Sequence, residues 1–201
     1  MINNIIFDLG NVLINFKPDQ FLLRYTKDKN RIAKFISNII QSDTWRKLDR
    51  GTISINNAQD DFISAYPEDT ELIRIFFSHW REMLTPISKN VSLLKELKSN
   101  GYKLYALSNY IIEAFEYVKN HYDIFPLFDG LVISGKINII KPELEIFQYL
   151  LQNYNLNPEK CVFIDDVEQF VLQASKLKIK TIHYLPNTDL RLELRKLDVK
   201  I

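Results

Sequence analysis

A single cysteine, Cys161, stands in the chain, which excludes an internal disulfide and suits a reducing compartment. It opens the apolar run Cys161-Val162-Phe163-Ile164 and reads as a buried structural thiol rather than a nucleophile. An excess of charge of one sign is also missing. Lys and Arg number 26 against 25 Asp and Glu, a formal net charge of +1. That balance offers no electrostatic footprint for nucleic acid or an anionic membrane. No apolar stretch approaches bilayer-spanning length. The first residues run straight into a strand-like pattern, without the basic region or cleavage site of a signal peptide, so a cytoplasmic protein is expected. Internal repeats and low-complexity tracts are absent as well. What is there is an ordinary globular composition, 46% hydrophobic and 25% charged. Its 201 residues suffice for one substantial core and a small second unit.

The stretch Ile5-Ile6-Phe7-Asp8-Leu9-Gly10-Asn11-Val12-Leu13 sets the frame. Three apolar residues running into an acid and a turn read as a buried parallel strand. Asp8 then lies at the strand's carboxyl end, where open α/β sheets place their ligands. Between Phe16 and Pro86 the pattern becomes helical. Lys17-Pro18-Asp19 interrupts it, and apolar faces recur over Arg31–Ile40, Asn57–Ala65 and Leu72–Met83. Asp49-Arg50-Gly51-Thr52 and Tyr66-Pro67-Glu68 read as turns. From Ser88 onward helices and strands alternate. Strands are expected at Lys103–Leu107, Gly130–Ser134, Cys161–Ile164 and Lys180–Tyr184. Helices are expected at Val91–Lys98, Ile111–Lys119, Pro142–Asn153, Val167–Leu177 and Leu190–Leu197. Alternation of this kind means right-handed crossovers and a parallel sheet. The expected fold is α/β, a Rossmann-like three-layer parallel-sheet core (residues 1–15 and 87–201) with an inserted all-helical cap (residues 16–86).

Four strand or loop ends bring polar groups to one edge of this sheet: Asp8, Ser108, Lys141 and the pair Asp165-Asp166. Three clustered carboxylates cannot all stay ionised without a cation. Hard oxygen donors with room for waters and phosphate suit Mg²⁺. Lys141 and Ser108 suit an anion such as a phosphoryl group. Singly, each is matched by an ordinary turn, helix start or cap; together they would require four coincidences.

The ordered set D-x-G-N-V, L-S-N, K-P-E and F-I-D-D resembles the four motifs of the haloacid dehalogenase superfamily of hydrolases. The helical insert resembles that superfamily's cap, and the subgroup with D-x-G-N-V resembles bacterial sugar-1-phosphate phosphatases. The resemblance implies an Mg²⁺-dependent phosphatase acting on a small-molecule phosphate ester, a sugar phosphate among the candidates, with neither nucleic acid nor membrane as partner. It implies Asp8 as nucleophile forming an aspartyl-phosphate. Ser108 and Asn109 would hold phosphoryl oxygens, and Lys141 would steady Asp8 and the transferring group. Asp8, the Gly10 carbonyl, Asp165 and Asp166 would hold the metal.

Two positions depart from the pattern. Relatives carry a second aspartate, the acid–base, where this chain has Gly10; such a group is typically worth 10²–10⁴-fold. A site without it is expected to prefer leaving groups that need little protonation. Phe170 stands where relatives often have Asn, and would either loosen the loop presenting Asp166 or pack against the lid. Two alternatives stay open: a metal-independent 2-haloacid dehalogenase, and a non-catalytic phosphate-binding protein on the same fold. His79 and Trp80 read as core or interface, and Arg46, Asp49 and Arg50 as solvated. His121 and His183 lack metal partners at ligand spacing.

Overall fold

The computed structural model describes residues 1–201. Strand β1 (Asn4–Phe7) is followed by helices α1 (Pro18–Leu22), α2 (Lys29–Phe35), α3 (Asp43–Arg50), α4 (Ile55–Ala65) and α5 (Thr70–His79). The alternating part continues with α6 (Ser88–Ser99), β2 (Lys103–Ser108), α7 (Ile112–His121), β3 (Gly130–Ile133) and α8 (Ser134–Ile137). It closes with α9 (Leu144–Asn153), β4 (Cys161–Asp165), α10 (Glu168–Ser175), β5 (Lys180–His183) and α11 (Leu190–Lys196).

The five strands form one sheet in the order β3-β2-β1-β4-β5, every neighbouring pair parallel. A parallel sheet is buried on both faces because its crossovers lie on them. The side chains divide accordingly. Ile5, Phe7, Leu104, Ala106, Val162 and Ile164 join a large apolar cluster on one face; Ile6, Tyr105, Leu107 and Phe163 join a smaller one on the other. Helices α6, α7 and α11 pack into the first cluster, α9 and α10 into the second, which makes three layers. The helical insert extends the first cluster without a break through Phe21, Phe35, Trp45, Phe62 and Phe76. Aromatic edges meet there: Phe21 and Phe76 are T-shaped at 5.8 Å, Trp45 and Trp80 at 6.4 Å.

The two ends of the insert are pinned side by side. Asn15 N–H donates to the Thr85 carbonyl (2.8 Å), and Ile87 N–H donates to the Leu13 carbonyl (2.8 Å). The insert therefore returns to the sheet edge it left.

Several local expectations need correction. Lys17-Pro18-Asp19 does not merely interrupt: Pro18 sits in the first turn of α1, where its missing N–H is not needed. Asp49 and Arg50 are not turn residues but the last turn of α3, which starts at the Ser42 cap (Trp45 N–H to Oγ, 3.1 Å) and stops at Gly51 in the left-handed region, φ 75°. The face over Leu72–Met83 breaks at His79 into a 3₁₀ turn, Trp80–Met83, and that over Arg31–Ile40 ends in a π-type turn, Ile36–Ile40. Ser134 starts α8 rather than ending β3. No helix is long and apolar enough to cross a membrane.

Candidate active site

The order β3-β2-β1-β4-β5 reverses its direction of growth between β1 and β4, and ligands of open α/β sheets bind outside the carboxyl ends at such a point. Asp8 follows β1 there, its N–H donating to the Ile164 carbonyl of β4 (2.9 Å). Ser108 ends the neighbouring β2, and its hydroxyl donates to Asp8 Oδ1 at 2.7 Å. Lys141 reaches the same oxygen at 2.8 Å and Asp165 Oδ2 at 2.5 Å. Lys141 is 2% exposed and Asp165 0%, so this ion triad is shielded from solvent.

The surroundings of each charge follow from burial. Burial pulls the Lys141 ammonium down, but the Asp165 and Asp8 carboxylates outweigh it and the net shift is upward. Burial pushes the Asp165 carboxyl up, Lys141 opposing and the nearby Asp8 charge adding to the shift. Asp166 is likewise raised, by burial first and then by Asp8. One carboxylate oxygen from each of Asp8, Asp165 and Asp166 lies within 4.8 Å of the others. Like charges at that spacing call for a cation beyond Lys141.

The three carboxylates are not equally free. Asp165 is engaged at both oxygens, by Lys141 at Oδ2 and by Val167 N–H at Oδ1 (2.8 Å). Asp166 accepts only one side-chain bond, from Asn11 Nδ2 to Oδ2 (3.1 Å). Asn11 adopts φ 53°, a conformation Asn tolerates well, and its Oδ1 accepts Phe16 N–H (3.1 Å). It thereby ties the loop after β1 to the loop after β4. Asn109 spans the Lys141 backbone: its Oδ1 accepts Lys141 N–H (2.7 Å), and its Nδ2 donates to the Lys141 carbonyl (2.9 Å). The Asn109 side chain is thus occupied in fixing Lys141, which leaves its backbone N–H as the group for an anion.

Above this cluster lies a cavity of about 180 Å³. Asp8, Gly10, Asn11, Asn109, Lys141 and Asp166 form its polar end. Phe16, Trp45, Trp80, Leu84, Ile111 and Phe170 are prominent in its apolar wall. Phe170 lies with its ring centroid 4.9 Å from Lys141 Nζ. The residue in the Asn position therefore packs over the lysine. Trp80 is buried, as expected of a core residue, and His79 stays at the surface beside Glu82 (3.1 Å). His121 Nδ1 meets the Tyr117 carbonyl (2.7 Å), and His183 Nε2 lies 3.1 Å from the Asp166 carbonyl.

Two expectations about the insert fail. Asp49 is half-buried and lines the cavity, and Arg50 pairs with Glu143 of the core through both terminal guanidinium nitrogens. Arg46 does lie at the surface, paired with Asp43. Reading Asp49-Arg50-Gly51-Thr52 as a turn hides Asp49 because it hides α3. The signal was present: Ser42 and Gly51 bracket a helix in which Trp45 and Asp49 share a face at i, i+4.

A model of the haloacid dehalogenase-like hydrolases matches residues 2–169. Among individual proteins, the chain is similar to the sesquiterpene phosphatase astK of Aspergillus oryzae, 28% identical over 193 residues, 96% of this chain and 94% of that protein. It is also similar to a glyceraldehyde 3-phosphate phosphatase of Methanocaldococcus jannaschii, 27% identical over 198 residues, 92% of this chain and 86% of that protein. A HAD family enzyme of Bacteroides thetaiotaomicron, crystallised with magnesium and inorganic phosphate, superposes with a TM-score of 0.75. That likeness spans 97% of this chain and 100% of the other at 24% identity, and shows the fold.

Proposed function

Since the chain belongs to the haloacid dehalogenase-like hydrolases, we propose that it is an Mg²⁺-dependent phosphatase of small phosphate monoesters, working through an aspartyl-phosphate at Asp8 beneath a cap formed by residues 16–86. The observation that carries this reading is the cluster of buried Asp8 and Asp165 with half-buried Asp166 around Lys141, with the Ser108 hydroxyl on Asp8.

The donor set fits Mg²⁺, which takes few carboxylates and keeps waters and phosphate oxygens. Asp8 and Asp166 would be its carboxylate ligands, with the Gly10 carbonyl, which accepts Val12 N–H (2.7 Å) and has a second lone pair, as the third oxygen. Asp165, engaged at both oxygens, is better suited to holding Lys141 than to direct ligation. When bound, the metal neutralises charge between the Asp8 carboxylate and the incoming phosphoryl group. Asp8 then attacks phosphorus in line and the bond to the leaving oxygen breaks. Lys141 and Ser108 orient Asp8 and offer N–H and O–H donors where charge accumulates. Water hydrolyses the acyl phosphate, releasing inorganic phosphate and restoring Asp8.

The cavity wall supports an ester with an apolar body. Most of its lining is apolar, with Phe16, Trp45, Trp80, Leu84, Ile111 and Phe170 prominent, which leaves few groups to match sugar hydroxyls. A volume of about 180 Å³ is below the roughly 300–1,000 Å³ usual for drug-sized ligands, so the ester is small. The similarity to a sesquiterpene phosphatase agrees with an apolar body. A polar, sugar-like phosphate is the second reading, favoured by the similarity to a glyceraldehyde 3-phosphate phosphatase.

Hydrolysis of 4-nitrophenyl phosphate tests the reaction. Turnover that requires Mg²⁺, stops with EDTA and is lost in Asp8→Asn is expected. Turnover of chloroacetate instead, unaffected by EDTA, would replace phosphate chemistry with dehalogenation. Comparing kcat/KM for a short prenyl or benzyl phosphate with that for glucose 1-phosphate then decides the substrate class.

A further inference from the structure

Gly10 leaves the carboxylate cluster without a free acid, and packing does not demand that glycine: a Cβ there would meet nothing closer than Asp8 Oδ2 at 3.5 Å. Five titratable side chains line the cavity: Asp8, Asp49, Tyr110, Lys141 and Asp166. Asp8, Lys141 and Asp166 belong to the charged cluster. Tyr110 is held neutral, its hydroxyl pushed up by burial. Asp49 is the one carboxyl that reaches the cavity from the insert, and its side chain makes no hydrogen bond to the protein.

Its position is built. Asp49 lies in the last turn of α3, where the negative end of the helix dipole disfavours a carboxylate. The turn is stapled to the core by the α8 segment. The Ser134 hydroxyl donates to the Asp49 carbonyl while accepting Tyr110 N–H (2.9 Å). Asn138 Nδ2 donates to the Arg50 carbonyl (2.8 Å), and Arg50 Nη1 returns a bond to the Asn138 carbonyl (3.0 Å). Gly51 approaches Gly135 so closely that a Cβ on it would fall 2.4 Å from the Gly135 carbonyl oxygen. These contacts fix the backbone of Asp49 and leave its carboxyl facing the cavity unpaired.

We propose that Asp49 is the general acid–base of this site, donating a proton to the leaving oxygen and afterwards taking one from the attacking water. The proposal rests on the phosphatase reading above. In the first step the Asp8–phosphorus bond forms, the phosphorus–alkoxy bond breaks, and the leaving oxygen takes the Asp49 proton. In the second, water gives that proton back as its oxygen bonds phosphorus, and the Asp8–phosphorus bond breaks. Burial pushes the Asp49 carboxyl up to about 7, Lys141 opposing and Asp8 adding to it, which suits a group that must hold a proton and give it up near neutrality. With Asp49 in this role, poor alkoxide leaving groups are substrates despite Gly10.

The test compares wild type, Asp49→Asn and Asp49→Ser, all loaded with Mg²⁺, on hexyl phosphate and 4-nitrophenyl phosphate. Rapid quench measures leaving-group release in the first turnover. Nitrophenolate leaves without a proton, so it reports folding and phosphoryl transfer separately from acid catalysis. The expected result in both variants is a fall of 10²–10⁴-fold in the ratio of hexanol to nitrophenolate release. A nitrophenolate burst followed by slow turnover is also expected, because the second step has lost its base. Equal loss on both esters would reduce Asp49 to a structural residue and overturn the proposal. So would an undiminished hexanol rate. Wild type inactive on both esters removes the phosphatase reading and this one with it, a failure distinct from an active wild type whose variants show no split.

Discussion

Gly51→Ala tests whether the seam between the insert and the core positions the site. Two glycines end helices here in the same way. Gly51 N–H donates to the Leu48 carbonyl and Thr52 N–H to Lys47; Gly101 N–H donates to the Lys98 carbonyl and Tyr102 N–H to Leu97. Both adopt left-handed backbone, φ 75° and 85°, which in an L-residue costs about 1–2 kcal/mol. They differ in surroundings. A Cβ on Gly101 meets nothing within 4 Å, whereas one on Gly51 lies 2.4 Å from a backbone oxygen that no side-chain rotation can move. The seam must open by roughly 1 Å to restore ordinary contact, and overpacking of this kind adds about 1–3 kcal/mol. Gly101→Ala therefore measures the backbone cost alone. Gly51→Ala should lower the melting temperature by a further 2–12 °C or so, at about 2–4 °C per kcal/mol for a chain of this size. It should also slow hexyl phosphate hydrolysis more than nitrophenyl phosphate hydrolysis, because Asp49 precedes it by two residues. Calorimetry and steady-state rates on the two variants check this. Equal melting temperatures, with equal rates on both esters, would refute the seam's role.

Two further outcomes follow from the buried charges. Lys141→Met leaves Asp8 and Asp165 buried without their shared cation, so denaturant melts should show a loss of about 3–5 kcal/mol, partly recovered by added Mg²⁺. Unchanged stability would mean that the triad is not ion-paired as described. Asp49→Asn should change how stability depends on pH. The folded protein keeps the Asp49 proton up to pH about 7, while the unfolded chain releases it near the ordinary aspartate value of 3.8. The native state thus binds the extra proton between those limits, and rising pH through that window destabilises wild type relative to the variant. Discounted for the part of Asp49 that faces the cavity, the relative gain of Asp49→Asn between pH 4 and pH 8 is on the order of 2 kcal/mol. A melting-temperature difference independent of pH would contradict it.

The core was legible in the sequence because buried parallel strands write themselves as apolar runs that stop at polar residues. Ile5-Ile6-Phe7 before Asp8 and Val162-Phe163-Ile164 before Asp165 are both of that kind, and both appear as expected at the sheet's carboxyl edge. The insert was less legible. Helix α1 has five residues, too few for a face to repeat, and eight-residue α3 repeats its face only once, from Trp45 to Leu48 and Asp49; Pro18 and Gly51 read as breaks when they are a start and a stop. What put Asp49 and Arg50 beyond local reading is tertiary: the docking of α3 on α8 and the loop that follows it, through Ser134, Asn138 and Glu143, between 85 and 93 positions away. Asn109 shows the same limit. L-S-N marks the residue, yet only the fold reveals that its amide is spent on the Lys141 backbone.

The division of labour follows from the two halves' different anchoring. Asp8, Ser108 and Asp165 hang on strand ends locked by ladder hydrogen bonds, and Lys141 is tied to them by Asn109, so the geometry tolerates little change without loss of the sheet. Trp45, Trp80 and Asp49 sit on short helices and turns that meet the core through the shared apolar cluster, a few bonds at α8 and the paired ends at Asn15 and Ile87. In the arrangement proposed here, leaving-group protonation comes from the insert, and so does part of the wall that sets substrate shape. One helix, α3, carries a wall residue and the acid four positions apart on the same face. A change in the tilt of α3 then alters which alcohol fits and whether it is protonated in a single movement, while phosphoryl transfer at Asp8 is left as it was.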